Sequence, residues 1–171
     1  MTPTGLRGVL QNGTLTVGSE APDFELPALI SGVRKKWCLS EQRGQKSVVL
    51  AFYPFNWQPS CAQQMVEYQA QRSRILAVPA ETVAITVDSI MNTTAWEHEI
   101  GPFDFPMCSD FWPHGEVSAR YGVLRESDPR AGASERAVLV VDRNGRIVFK
   151  KIYEPDDIVS LDEVFPVLDK I

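Results

Sequence analysis

Hydrophobic and polar positions along this chain fall into short blocks of two alternating periods, punctuated by glycine and proline. Val48-Val49-Leu50-Ala51-Phe52-Tyr53 is a continuous apolar run, as expected of a strand buried on both faces. Thr82-Val83-Ala84-Ile85-Thr86-Val87 is β-branched and ends at Asp88-Ser89, and Arg136 to Val141 is a further apolar strand. Phe24-Glu25-Leu26 and Trp37-Cys38-Leu39 predict shorter strands, the second ending at the turn signal Arg43-Gly44, and Phe105-Pro106-Met107-Cys108 predicts another. Asn144-Gly145 predicts a type I′ hairpin leading into a strand over Ile147 to Tyr153.

Between these strands the spacing becomes helical. One helix is predicted from Pro59 to about Ala77, with Met65, Tyr68, Ile75 and Leu76 on one face, Arg72 interrupting that face and Pro79 stopping the helix. Another runs through Thr94-Ala95-Trp96-Glu97 to Gly101-Pro102, and a short one runs from Gly115 to Tyr121. Ser160 to Ile171 predicts a closing helix, with Ser160 and Glu163 spaced as a capping box. Strands alternating with helices, plus one late hairpin, predict a three-layer α/β domain around a mixed sheet. The expected organisation is an N-terminal arm over 1–16, with a weak hairpin signal at Asn12-Gly13, and a single domain over 17–171.

Bulk composition narrows the function classes. A chain of 171 residues buries about 70% of its unfolded surface without staples. A net charge of -5 argues against nucleic acid as a partner, which requires concentrated Lys and Arg. No run of about 18 apolar residues exists to span a membrane, and Met1 to Val17 lacks the apolar core of a secretory signal. Three irregularly spaced cysteines make no disulfide framework. A cytoplasmic protein with reduced thiols is expected.

The chemistry concentrates in Phe52-Tyr53-Pro54-Phe55-Asn56-Trp57-Gln58-Pro59-Ser60-Cys61. A strand ends at one proline, and a second proline stands where a helix would begin, since proline is favoured at the first helical position. Cys61 then falls in the first turn, among unpaired backbone N–H groups at the positive end of the dipole. Such surroundings can lower a cysteine pKa from about 8.5 to roughly 3.5–7.5. The alternative is a small buried hydrophobe that happens to be cysteine. The two flanking prolines specify a tighter geometry than packing alone needs and favour the activated sulfur.

This order of elements is that of a thioredoxin-like fold, and the residues resemble the peroxiredoxin family. The family motif Pro-x-x-x-Thr/Ser-x-x-Cys is matched by Pro54 and Cys61 at its first and last positions. Val17 to Phe24, Leu39 to Gly44, Phe105 to Asp110 and Arg136 to Asp142 are also similar to the family. Ser109 to Gly115 with Tyr121-Gly122-Val123 looks most like its AhpE-type, one-cysteine branch. The resemblance implies a peroxiredoxin N-terminal extension and a thiol-dependent peroxidase reducing hydrogen peroxide or organic hydroperoxides. It implies Cys61 as the peroxidatic cysteine, Arg136 as the arginine holding thiolate and peroxide, and Pro54 as a shield against solvent. Taken alone, Arg136 is equally a surface charge at a strand edge.

One position departs from the motif: the family's Thr/Ser is Gln58 here. Gln58 falls at the N-cap, where glutamine is worth about 0.5–2 kcal/mol less than a short hydroxyl. The family hydroxyl also contacts the peroxide, so Gln58 joins the catalytic candidates, and a redox sensor or binding protein with weak turnover is the rival expectation. Cys38 and Cys108 are expected as buried small residues, and the position five after Cys61, where one branch keeps a resolving cysteine, is Val66. An external thiol or thioredoxin-like protein is therefore the expected reductant. No cofactor or metal is expected: no C-x-x-C, nucleotide loop or G-x-S-x-G elbow occurs, and Cys108 with His114 is too sparse a ligand set. His114 is expected to make a loop hydrogen bond or shape a subunit contact. Phe55, Trp57, Phe103, Phe105, Phe111 and Trp112 crowd the same side of the sequence and predict a homodimer through the loops beside the site.

Overall fold

A computed structural model describes residues 15–171; most of the expected arm, with its Asn12-Gly13 hairpin, lies outside the described residues. β1 (Glu25–Ile30) and β2 (Val33–Cys38) form a hairpin, followed by β3 (Ser47–Phe52), α1 (Pro59–Ala70), α2 (Arg72–Ala77) and β4 (Ala80–Thr86). Then come α3 (Ile90–Ile100), β5 (Met107–Ser109), α4 (Glu116–Arg120), β6 (Arg136–Val141), β7 (Ile147–Tyr153) and α5 (Phe165–Leu168). The strands join in one mixed sheet of order β2-β1-β5-β4-β3-β6-β7.

Parallel pairing of β3 with β4 and of β4 with β5 brings the carboxyl ends of all three strands to one edge of the sheet. β6 runs antiparallel to β3, so its first residue arrives at that same edge. The register pairs Phe52 with Ala137, which sets Arg136 level with Tyr53, where the chain leaves β3. Strand alternation then assigns the faces. Val49, Ala51, Tyr53, Val138 and Val140 pack with Met65, Tyr68, Ile75 and Trp96 from the helices of one layer. Val48, Leu50, Phe52, Ala137 and Leu139 pack with Val117 of α4 and with Tyr121 at its end on the other.

Three local expectations are corrected. The predicted helix over 59–77 is two helices broken at Gln71, whose backbone (ψ -1°) closes α1. The break turns Arg72 towards β4, where its Nη1 and Nη2 donate to the two carboxylate oxygens of Glu81 at 2.6 and 3.3 Å. Ile75 is buried as expected, whereas Leu76 is exposed. The closing helix is also divided, into a 3-10 turn at Leu161–Glu163 and α5. Pro166 has no N–H for the carbonyl four residues earlier and its ring clashes there, so one continuous helix cannot pass. Ser160 still caps, its Oγ accepting from Asp162 N at 3.1 Å. At the hairpin, only Gly145 is left-handed (φ 81°), so the turn is not type I′, which needs both central residues there. Asp142 imposes the alternative: its carbonyl accepts from Gly145 N, and its Oδ1 accepts from Asn144 N and Arg146 N at 2.9 Å each. The positive φ is what requires glycine at 145, because the nearest group a Cβ there would meet is the movable guanidinium end of Arg43.

Arg72→Ala should lower stability by about 2 kcal/mol, because it leaves the buried Glu81 carboxylate with only Lys46 Nζ at 4.0 Å. Urea unfolding should show a lower midpoint at unchanged slope.

Candidate active site

The segment between β3 and α1 is pinned by one asparagine. Asn56 is buried, and its Oδ1 accepts from Tyr53 Oη at 2.7 Å. Its Nδ2 donates to Asn92 Oδ1 at 3.0 Å and Thr93 Oγ1 at 2.9 Å, and its backbone N–H donates to Asp88 Oδ2 at 2.7 Å. The loop is thereby tied to the exit of β4 and the first turn of α3. Trp57 follows in the left-handed region (φ 70°), a conformation that costs a non-glycine residue about 1–3 kcal/mol, and its indole N–H donates to Asn92 Oδ1 at 3.0 Å. That turn redirects the chain into the helix. Gln58 is the extended N-cap, Pro59 the first helical residue and Cys61 the third, as the prolines predicted.

Cys61 Sγ is fully buried on the helical side of the sheet. Arg136 is itself only 1% exposed, and its Nη2 lies 3.2 Å from that sulfur and 3.0 Å from Ser60 Oγ. Arg136 Nη1 donates to Gln64 Oε1, and its Nε donates to Pro155 O at 3.2 Å. Gln64 in turn donates through Nε2 to Tyr68 Oη at 2.6 Å. Every oxygen around the guanidinium is neutral, and among the described residues no carboxylate reaches it within ion-pair distance. An arginine stays charged in proteins, and isolating that charge in the interior costs several kcal/mol. Among the described residues, sulfur 61 is the one contact of the guanidinium that can bear negative charge.

Gln58 makes no capping bond, as its length predicted, and folds back so that Oε1 sits 3.5 Å from Cys61 Sγ. With a protonated sulfur the thiol donates to that oxygen; a half-turn of the amide presents an N–H to a thiolate or to an incoming oxygen. Pro54 is buried at the exit of β3. The structure thus brings Cys61, Arg136 and Gln58 together, with Pro54 at the root of the loop. Sequence reasoning missed Ser60, Gln64 and Asn56. Their signal was a polar residue where burial was due: Ser60 and Gln64 lie four apart on α1, flanking Cys61. They also line a cleft of about 220 Å3 whose opposite wall is residues 157–160.

The other two thiols are remote. Cys108 packs with the α4 layer, on the opposite face of the sheet from Cys61. Burial, with the Asp110 charge beside it, pushes the Cys108 thiol far up. Cys38 is partly exposed, against the expected burial, because β2 is the edge strand, and its Sγ lies 3.2 Å from Ser40 Oγ. Four strand spacings separate β2 from β3, about 19 Å. All three cysteines are free. His114 bonds through Nε2 to Gly132 O at 2.6 Å. Of the six aromatic residues expected at a subunit contact, Phe103 and Phe105 are instead core, stacked with centroids 5.3 Å apart, because the chain there turns inward to meet β5. Trp57, Phe111 and Trp112 are exposed, Trp112 by 81%.

The chain is similar in sequence and in fold to known proteins. The AhpC/TSA family model matches residues 17–150. The chain is 34% identical over 144 residues to alkyl hydroperoxide reductase E of Mycobacterium tuberculosis, covering 84% of this chain and 90% of that protein. It is 32% identical over 163 residues to a putative peroxiredoxin, sll0755, of Synechocystis, covering 92% and 78%. Among solved structures it resembles the reduced 2-Cys peroxiredoxin of Plasmodium vivax, with TM-score 0.82, 26% identity and coverage of 90% and 80%. Mycobacterium tuberculosis AhpC gives TM-score 0.80 at 26% identity, covering 91% and 92%.

Asn56→Ala should destabilise the protein by about 2–4 kcal/mol, since it strips partners from the buried hydroxyls of Tyr53 and Thr93. Thermal unfolding followed by circular dichroism measures the loss.

Proposed function

The chain belongs to the AhpC/TSA family, whose members are thiol-dependent peroxidases, and from that membership we propose a one-cysteine catalytic cycle centred on Cys61. The observation that carries the proposal is a buried sulfur at the start of α1 with Arg136 Nη2 3.2 Å away. The Cys61 thiolate attacks one oxygen of hydrogen peroxide or an organic hydroperoxide as the O–O bond breaks. The sulfur gains that oxygen as sulfenic acid, and the departing oxygen leaves as water or alcohol after taking up a proton. Negative charge grows on the departing oxygen, where the guanidinium and the N–H groups of the first turn of α1 are already aimed in a site screened from water.

Reduction then needs two thiols. The first condenses with the sulfenic acid, releasing water and leaving a mixed disulfide; the second displaces Cys61 as thiolate and departs as the oxidised disulfide. With Cys108 behind the sheet and Cys38 at its far edge, both come from an external thiol or a thioredoxin-like partner. The cleft beside Ser60 and Gln64 is the proposed approach. Gln58, within 3.5 Å of the sulfur, takes the place of the family hydroxyl and contacts the peroxide through its amide, which favours turnover over a purely sensing role. Within the same proposal the chain works in the reducing cytoplasm and pairs as a homodimer through Trp57, Phe111 and Trp112, large apolar side chains of the kind enriched at subunit contacts.

Cys61→Ser should abolish peroxide consumption, and Arg136→Met should slow it by about 10²–10³-fold. Substituting Cys38 and Cys108 together by Ser should leave steady turnover with a small thiol intact. Stopped-flow oxidation and dimedone trapping of residue 61 read the first pair, and coupled turnover reads the last. Its collapse would remove the one-cysteine cycle. Light scattering at micromolar concentration should report a dimer for the wild type and a monomer for Trp112→Glu; a wild-type monomer would remove the homodimer.

A further inference from the structure

An amide is a two-ended clamp: its oxygen accepts, its nitrogen only donates. Gln64 meets Arg136, which also only donates, so a single orientation of the carboxamide holds the guanidinium, and a half-turn sets donor against donor. Arg136 therefore sets the orientation by itself. Tyr68 supplies the anchor that keeps the side chain in place. It stands one helical turn beyond Gln64 on α1, and its Oη accepts from Gln64 Nε2 at 2.6 Å. The phenol is 1% exposed, and among the described residues it makes no other hydrogen bond. Its ring is fixed edge-on against Phe105 at 6.1 Å and 82°.

We propose that Tyr68 is a positioning residue for the peroxide reaction: it anchors the Gln64 side chain, whose amide oxygen holds the Arg136 guanidinium against Cys61. The proposal rests on the peroxidase function of Cys61. Burial of Tyr68 drives its phenol ionisation far above the ordinary value, so the oxygen stays a neutral acceptor while the cycle runs. Glutamine here keeps the guanidinium's charge free of any carboxylate, and an unsymmetrical clamp with a fixed partner is the structural consequence of that choice.

The test is a double-mutant cycle read as the second-order rate of Cys61 oxidation by hydrogen peroxide. Tyr68→Phe keeps the ring and removes only the oxygen; it should slow oxidation by about tenfold or more, as expected when a catalytic group loses its alignment. In the Gln64→Leu background no side chain links Tyr68 to Arg136, and adding Tyr68→Phe should change the rate by less than about twofold. A merely structural tyrosine would slow both backgrounds alike, and that result would overturn the proposal. So would a Tyr68→Phe rate equal to wild type, while leaving the peroxidase function standing. A wild-type protein that does not consume peroxide through Cys61 would overturn both. Hydrogen exchange of the Gln64 side-chain amide gives a reading independent of activity. Its protons should be protected in wild type and exposed in Tyr68→Phe, and equal protection in the two proteins would count against the proposal.

Discussion

The structure depends on a guanidinium placed in the interior without an acid to neutralise it. Arg136 is buried at the first residue of β6, and its fixed contacts are a carbonyl, an amide oxygen, a hydroxyl and a sulfur. Had one of these been a carboxylate, the positive charge would have been satisfied at rest. As it stands, the site is complete only when the sulfur, or an oxygen arriving beside it, bears negative charge. Such an arrangement costs stability in the ground state and repays it where charge moves.

Sheet topology is what makes the placement possible. A residue on β6 reaches the end of β3 because the two strands are antiparallel neighbours in a register that offsets Arg136 by one position past the last ladder pair. The helix start reaches the same point because Trp57 reverses the chain in the left-handed region and Asn56 ties that reversal to β4 and α3. Two separate devices, one long-range and one local, therefore converge on a single sulfur. The loops that bear on it all leave one edge of the sheet, so a change in their side chains leaves the two apolar layers beneath undisturbed.

Much of this was legible from residue order. Val48 to Tyr53 cannot be mistaken for anything but a buried strand, and Pro59 two residues before Cys61 announces the helix start. Arg136 was different: its role was visible only through resemblance, because no local pattern tells a strand-edge arginine from one that β-pairing will deliver to a cysteine 75 positions away. The break at Gln71 was hidden for a similar reason, since no glycine or proline marks it and the partner that Arg72 meets beyond it, Glu81, lies on a later strand. Gln64 was hidden by its own polarity, which on an apolar helix face looks like an accident. The hairpin at Asn144-Gly145 was placed correctly and typed wrongly, because Asp142 competed for the same backbone N–H groups.

Cys61 and Cys108 share one small domain with a hydrogen-bonded sheet between them. A disulfide demands Cα atoms within about 7 Å and facing Cβ vectors, which a helix on one face and a strand residue turned to the other cannot supply while the sheet between them stays intact. The sheet is in effect an electrical partition. The two sulfurs stand on either side of it as separate poles, with no short path from one to the other.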